Sequence, residues 1–160
     1  YLGLLVLKNK FKLNYKLKKY FTDQYFMPNI QLKLTDQIKK FANTSIDISD
    51  GLLADLDKMI NNQKLSYKIF LNDIPISRNL KKILDSKNLP KINYVSKGDD
   101  YQVLFTASKD KMRIIKKIAS NCRVKLTKIG SIQSHTKKPS IVNAKNVQIS
   151  LKNKGYFHNF

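Results

Sequence analysis

Thr44-Ser45-Ile46-Asp47-Ile48-Ser49-Asp50-Gly51-Leu52-Leu53-Ala54-Asp55-Leu56 changes its hydrophobic rhythm halfway along, and that change decides the class of fold. Residues 44–48 alternate polar and apolar, the period-two pattern of a half-buried strand. Ser49-Asp50-Gly51 is a turn signal, and Leu52, Leu53, Leu56, Met59 and Ile60 then recur at helical spacing. The stretch reads as strand, loop, helix.

Downstream the alternation continues. Residues 66–71 read as a strand with Tyr67, Ile69 and Leu71 on one face; Pro75 breaks it, and Ser77 is placed to cap a helix running through Leu84. Residues 101–107 form an apolar strand, 109–120 a basic amphipathic helix with Met112, Ile115 and Ile118 inward, and 124–132 a further strand. Ser140-Ile141-Val142 and Val147-Gln148-Ile149-Ser150-Leu151 are expected to pair through Asn143-Ala144-Lys145-Asn146, a turn without a strong hairpin dipeptide.

Upstream, Leu13, Leu17, Tyr20 and Phe21 recur at helical spacing until Met27-Pro28-Asn29 interrupts them. A short helix follows on Leu34, Ile38 and Phe41, with Thr35 and Asp36 as capping candidates. Strands alternating with helices predict an α/β (α+β layered) fold, helices packed on one mixed sheet. The expected division is a helical connecting segment over 1–42 and an α/β domain over 43–160, a single domain overall. The chain opens without Met on the apolar run Tyr1-Leu2-Gly3-Leu4-Leu5-Val6-Leu7, which reads as mid-protein sequence and leads to the expectation of a preceding N-terminal domain.

That run is too short to span a bilayer and has no small-residue cleavage site behind it, so neither a membrane helix nor a secretory signal is expected, and the default is a cytoplasmic protein. The single Cys122 forms no internal disulfide, and with His135 and His158 as the two histidines there is no zinc cluster, so any metal falls to oxygen ligands. The formal charge of +20 in 160 residues ordinarily suggests a polyanion partner. Arginine, the reader of base edges, is confined to Arg78, Arg113 and Arg123, however, while lysine is scattered along the chain in no single stripe. With abundant Lys, Asn and Ile and no Glu or Trp, this looks like compositional drift, and nucleic-acid binding is the secondary reading.

Chemistry concentrates in the Asp47–Gly51 loop. A helix N-terminus offers free N–H groups and a partial positive charge, which favour phosphate. Asp47 and Asp50 bring negative charge to the same corner, and a Mg²⁺ between them removes the conflict, since its octahedron is completed by carboxylates, waters and substrate phosphates. Ser49 offers a hydroxyl to a phosphate oxygen, and Gly51 permits close backbone approach. The simpler reading is that Ser49 or Asp50 merely caps the helix. A second acidic loop, Ser96-Lys97-Gly98-Asp99-Asp100, runs into the apolar Tyr101-Gln102-Val103-Leu104-Phe105-Thr106; taken alone it is an ordinary polar turn.

Together these segments resemble the thiamine-monophosphate kinase family, of the superfamily that includes aminoimidazole ribonucleotide synthetase. The family pattern is Asp-Ile-Ser-Asp-Gly-Leu, then Gly-Gly-Glu-Asp-Tyr-Glu-x-x-Phe-Thr about fifty residues on, then Gly-aromatic-x-His-Phe at the end. Asp47 to Leu52 match unchanged. The second motif appears as Lys97-Gly98-Asp99-Asp100-Tyr101-Gln102-Val103-Leu104-Phe105-Thr106, with Lys97 for a Gly and Asp99 for the Glu, and the third as Gly155-Tyr156-Phe157-His158-Asn159-Phe160.

The resemblance implies transfer of the γ-phosphoryl of ATP to thiamine monophosphate, giving thiamine diphosphate, with Mg²⁺ required. The acceptor is already an oxyanion, so positioning and charge neutralisation carry such catalysis. Carried over by position, Asp47 and Asp50 are magnesium ligands and catalytic, Ser49 contacts ATP, and Asp99 and Tyr156 contact the thiamine substrate, Tyr156 by stacking on a cationic ring. The resemblance also implies an N-terminal domain that supplies further acids and builds a homodimer, so that these 160 residues lack activity alone. A basic nucleic-acid-binding module and a degenerate structural subunit are the competing readings.

Overall fold

The computed structural model describes residues 1–60 and 63–150. Its α-helices are α1 (Leu2–Leu7), α2 (Tyr15–Phe26), α3 (Leu32–Ile38), α4 (Leu52–Met59), α5 (Arg78–Ser86), α6 (Ile92–Val95) and α7 (Met112–Cys122). Its strands are β1 (Thr44–Asp47), β2 (Leu65–Phe70), β3 (Val103–Thr106), β4 (Gly130–Ser134) and β5 (Ser140–Val142). β1 and β3 pair antiparallel, from Thr44 opposite Thr106 to Asp47 opposite Val103. β2 is the centre of a mixed three-stranded sheet, antiparallel to β4 and parallel to β5.

The described strands therefore form two sheets where the sequence suggests one, and apolar patterning explains the separation. Alternate residues of a strand face opposite ways. Ile46 and Leu104 join a core made by Leu52, Leu53, Leu56 and Met59 of α4 with Tyr67 and Ile69 of β2 and Ile141 of β5. Val103 and Phe105 turn instead to Leu34, Phe41 and Ile118, contributed around α3 and α7. β3 thus stands between two cores, and burial of apolar side chains on either side takes it out of water, while the Ser45 and Asp47 face of β1 stays exposed. A third cluster joins Leu2, Val6 and Phe21 of α1 and α2 to Ile83 of α5.

Caps follow side-chain chemistry. The Asn14 side chain accepts from the Leu17 amide at 3.0 Å, and Ser77 Oγ from the Leu80 amide at 3.1 Å, the latter as its sequence position predicts. Thr35 and Asp36 are not caps. Helix α3 starts a turn earlier, behind Gln31, and the Thr35 hydroxyl donates back to the Leu32 carbonyl at 2.6 Å, as a threonine inside a helix does. The strand expected over 124–132 begins at Gly130, because its partner β2 ends at Phe70, whose amide makes the last rung with the Ile129 carbonyl. Residues 124–128 lie beyond the end of β2, and Val124 and Leu126 pack beside α7 instead.

The turn at 143–146 is fixed by a side chain rather than a dipeptide signature: Asn143 Oδ1 accepts from the amides of Lys145 and Val147 at 2.9 and 3.0 Å. The returning segment bridges Gln148 to Val142, and the Ile149 amide donates to Ile141. Among the described residues no helix is long and apolar enough to cross a membrane.

Candidate active site

The two acidic loops, about fifty residues apart in sequence, meet as the continuation of the β1–β3 ladder. The Ile48 amide donates to the Gln102 carbonyl, the Tyr101 amide to the Ile48 carbonyl, and the Asp99 amide to the Ser49 carbonyl, each at 2.9 Å. Two glycines permit this proximity. A Cβ on Gly98 would lie 1.9 Å from the Ser49 oxygen, and one on Gly51, whose φ is +128°, would lie 2.4 Å from the Ser96 oxygen. Each loop therefore presses a glycine against a carbonyl of the other. Asp99 and Tyr101 both sit in the left-handed region, at φ 65° and 50°. A short Asp side chain tolerates that conformation; for a bulky Tyr it stores strain of about 1–3 kcal/mol, of the kind found at functional sites.

Asp55 organises the first loop. It is 1% exposed, and its Oδ2 accepts from three consecutive amides, those of Ser49, Asp50 and Gly51, at 2.9, 3.0 and 3.1 Å. Its Oδ1 pairs with the Lys58 ammonium at 3.1 Å, and the same ammonium pairs with Asp50 Oδ2. Hydrogen bonds to Asp50 and then Asp55 hold the Lys58 ammonium above the ordinary lysine range. This geometry corrects one expectation. The loop amides are consumed by an internal carboxylate, so they do not form a phosphate cradle, and neither Ser49 nor Asp50 is the side chain that caps the helix.

Neither Asp55 nor Lys58 is singled out by the sequence reading. A signal was present: an acid four positions into the helix reaches back toward the turn before it, as in a capping box, and Lys58 stands one helical turn beyond.

The sequence-predicted residues are brought to one corner but not to one surface. Asp47 is exposed at the end of β1, Ser49 is half-buried, and Asp50 is half-buried under Lys58. Asp99 and Asp100 line a broad cleft of about 1420 Å³ whose wall also includes Ile48, Tyr94 and Gln102, whereas Asp47, Ser49 and Asp50 stand outside that wall. Asp100 is exposed as a residue, yet protein crowds its carboxyl on the cleft side. The lost hydration raises its pKa to about 6, and the neighbouring Asp99 charge adds to the rise. Tyr156 and His158, with the whole 155–160 motif, lie outside the described residues. Cys122, the last residue of α7, is partly buried and donates to the Lys33 carbonyl, and His135 is exposed.

Among the described residues no three acids, histidines or cysteines converge to hold a metal ion. The donor set nevertheless suits a hard divalent cation in part. Asp47 and Asp50 are carboxylates, Mg²⁺ needs one or two of these with waters and phosphate oxygens, and Asp50 already holds a cation in the form of Lys58.

No protein-family model matches the chain. The thiamine-monophosphate kinase of Buchnera aphidicola subsp. Acyrthosiphon pisum is 39% identical over 120 residues, which cover 72% of this chain and 36% of that protein. That of Buchnera aphidicola subsp. Schizaphis graminum is 31% identical over 159 residues, covering 98% and 48%. Among solved structures, AaThiL complexed with AMPPCP and TMP matches with a TM-score of 0.73 at 24% identity, over 97% of this chain and 47% of that one. The thiamine-monophosphate kinase from Stenotrophomonas maltophilia K279a gives 0.74 at 22%, over 89% and 45%. The chain spans about half the length, or less, of the relatives it matches. The fold is that of these solved structures. By sequence and by fold, the chain is similar to the thiamine-monophosphate kinases, whose C-terminal part it matches.

Proposed function

We propose that this chain supplies the C-terminal half of the active site of a cytoplasmic, Mg²⁺- and ATP-dependent kinase that converts thiamine monophosphate to thiamine diphosphate. The observation that carries the reading is the joining of the two acidic loops through the Ile48, Asp99 and Tyr101 amides, which makes one corner of two distant motifs. AMPPCP and TMP are the ligands of the AaThiL complex that shares the fold, and they correspond to the ATP and thiamine monophosphate assigned here.

Within this reading Asp47 and Asp50 hold Mg²⁺, which when bound neutralises phosphate charge during transfer. Asp55 keeps the loop in the shape that presents both carboxylates. Ser49 offers its hydroxyl to the nucleotide from the loop edge. Asp99, held at positive φ on the cleft wall, faces the thiamine substrate, and Tyr156 stacks against its ring. The complementary half, which the longer relatives carry and through which we propose they form homodimers, provides the remaining metal ligands and nucleotide contacts. Alone, the 160-residue chain does not turn over. Clustering carboxylates at the loop disfavours a polyanion-binding module, since each acid opposes phosphate.

The test is a Mg²⁺-dependent assay of thiamine diphosphate formation, on the chain alone and mixed with the N-terminal half of the Aquifex aeolicus relative. The mixture should turn over and the chain alone should not, and Asp47→Asn or Asp50→Asn should each slow the mixture at least about a hundredfold. Rates untouched by both substitutions would sink the metal assignment.

A further inference from the structure

We propose that Lys58 is a tethered counter-cation for Asp50, anchored by Asp55, and that it yields Asp50 to an incoming divalent cation while rejecting monovalent ones. The inference rests on the metal reading of the loop given above and adds to it a residue that sets which cation the loop accepts.

The two oxygens of Asp55 do different work. Oδ2 is fixed by the Ser49, Asp50 and Gly51 amides, so the carboxylate stays in place whatever happens outside it. Oδ1 pairs with the Lys58 ammonium at 3.1 Å and gives it a buried anchor. Lys58 is itself 52% exposed on a four-carbon stem, and its second carboxylate partner is Asp50, 18% exposed. The ammonium can therefore leave Asp50 without losing Asp55.

Charge decides which cation displaces it. A sodium or potassium ion brings to Asp50 no more charge than the ammonium already there and has the tether to compete against. A divalent ion brings twice the charge, and the released ammonium stays neutralised by Asp55. The lysine also keeps the loop assembled before any cation arrives, since Asp50 and Asp55 would otherwise repel each other across one turn of chain. Preorganisation and selectivity thus come from one side chain.

Mn²⁺ binding, followed by electron paramagnetic resonance with Mg²⁺ and NaCl as competitors, tests the proposal on the intact chain and its Lys58→Met, Lys58→Arg, Asp50→Asn and Asp50→Asn/Lys58→Met variants. Methionine keeps the stem and removes the charge. Lys58→Met should bind Mn²⁺ roughly fivefold more tightly and become sensitive to NaCl, as expected for removal of a partly exposed charge. Lys58→Arg should stay at the wild-type affinity, and the double variant should lose the gain. Circular dichroism of each variant confirms that the fold is kept. Equal or weaker binding by Lys58→Met overturns the proposal. If wild type and Lys58→Met bind alike and Asp50→Asn abolishes binding, the lysine role falls while the metal site stands. If no variant shows Asp50-dependent binding, both fall.

Discussion

Asp99 and Asp100 are neighbours in sequence, yet their backbones and surroundings assign them different work. Asp99 has a left-handed backbone and an amide bonded to Ser49, while Asp100 has a carboxyl crowded on the cleft wall, with its pKa raised from 3.8 to about 6. A carboxyl whose folded-state pKa is raised keeps its proton where the unfolded chain has released it. Its contribution to stability is therefore present at low pH and is lost as pH rises from about 4 to about 6. Asp100→Asn should accordingly raise the thermal midpoint at pH near 7.5 and leave it unchanged near pH 4. Midpoints of both proteins across that range check the sign, and a constant difference at all pH values would refute it. At this scale Asp47, Asp50 and Asp99 stand out in the sequence because their neighbours match a motif, and the roles proposed for them rest on that match. Asp55 and Lys58 were not, because their roles exist only once the loop folds back over the start of α4.

Elements meet here through glycine contacts. Gly98 lies where any side chain would strike the Ser49 carbonyl, a backbone atom that cannot rotate away. Gly98→Ala should therefore part the loops, weaken the Asp99-to-Ser49 bond and cost about 2–3 kcal/mol of unfolding free energy, measured by urea denaturation. A cost below about 0.5 kcal/mol, the ordinary range of a surface substitution, would show that the loops do not depend on this contact. Most elements were readable from periodicity: the strand-loop-helix at 44–60, the Ser77-capped helix and the basic helix near 112–122 all appear. The errors have local causes. Thr35 and Asp36 are cap-type residues inside a helix, and residues 124–128 have strand-like alternation but run past the end of β2 and pack against α7. The pairing that separates β1–β3 from the mixed sheet depends on which core each face meets, which lies beyond a one-dimensional pattern.

At the scale of the molecule, three apolar clusters among the described residues divide the labour. One seats α4 on the mixed sheet and carries the acidic corner, one packs α3 and α7 on the far face of β1–β3, and one fastens α1 and α2 to α5 through Leu2, Val6, Phe21 and Ile83. The helical connecting segment thus contributes buried side chains. Phe21→Ala should cost about 3 kcal/mol as a cavity in that third cluster. Hydrogen exchange should quicken in α1, α2 and α5 while the Ser49 and Asp50 amides, held by Asp55, keep their protection. Loss of protection at both places together would mean that the clusters unfold as one unit.

The carboxylate of Asp55, seated on the amides of Ser49, Asp50 and Gly51, has a consequence for ligand preference. An ordinary helix start draws anions; this one has an anion already in residence, supplied by its own first turn. The polarity of the corner is thereby inverted, and what it offers to solvent is a demand for positive charge. On the function proposed above, a nucleotide would settle there together with its counter-ion, so that phosphate and metal arrive as one.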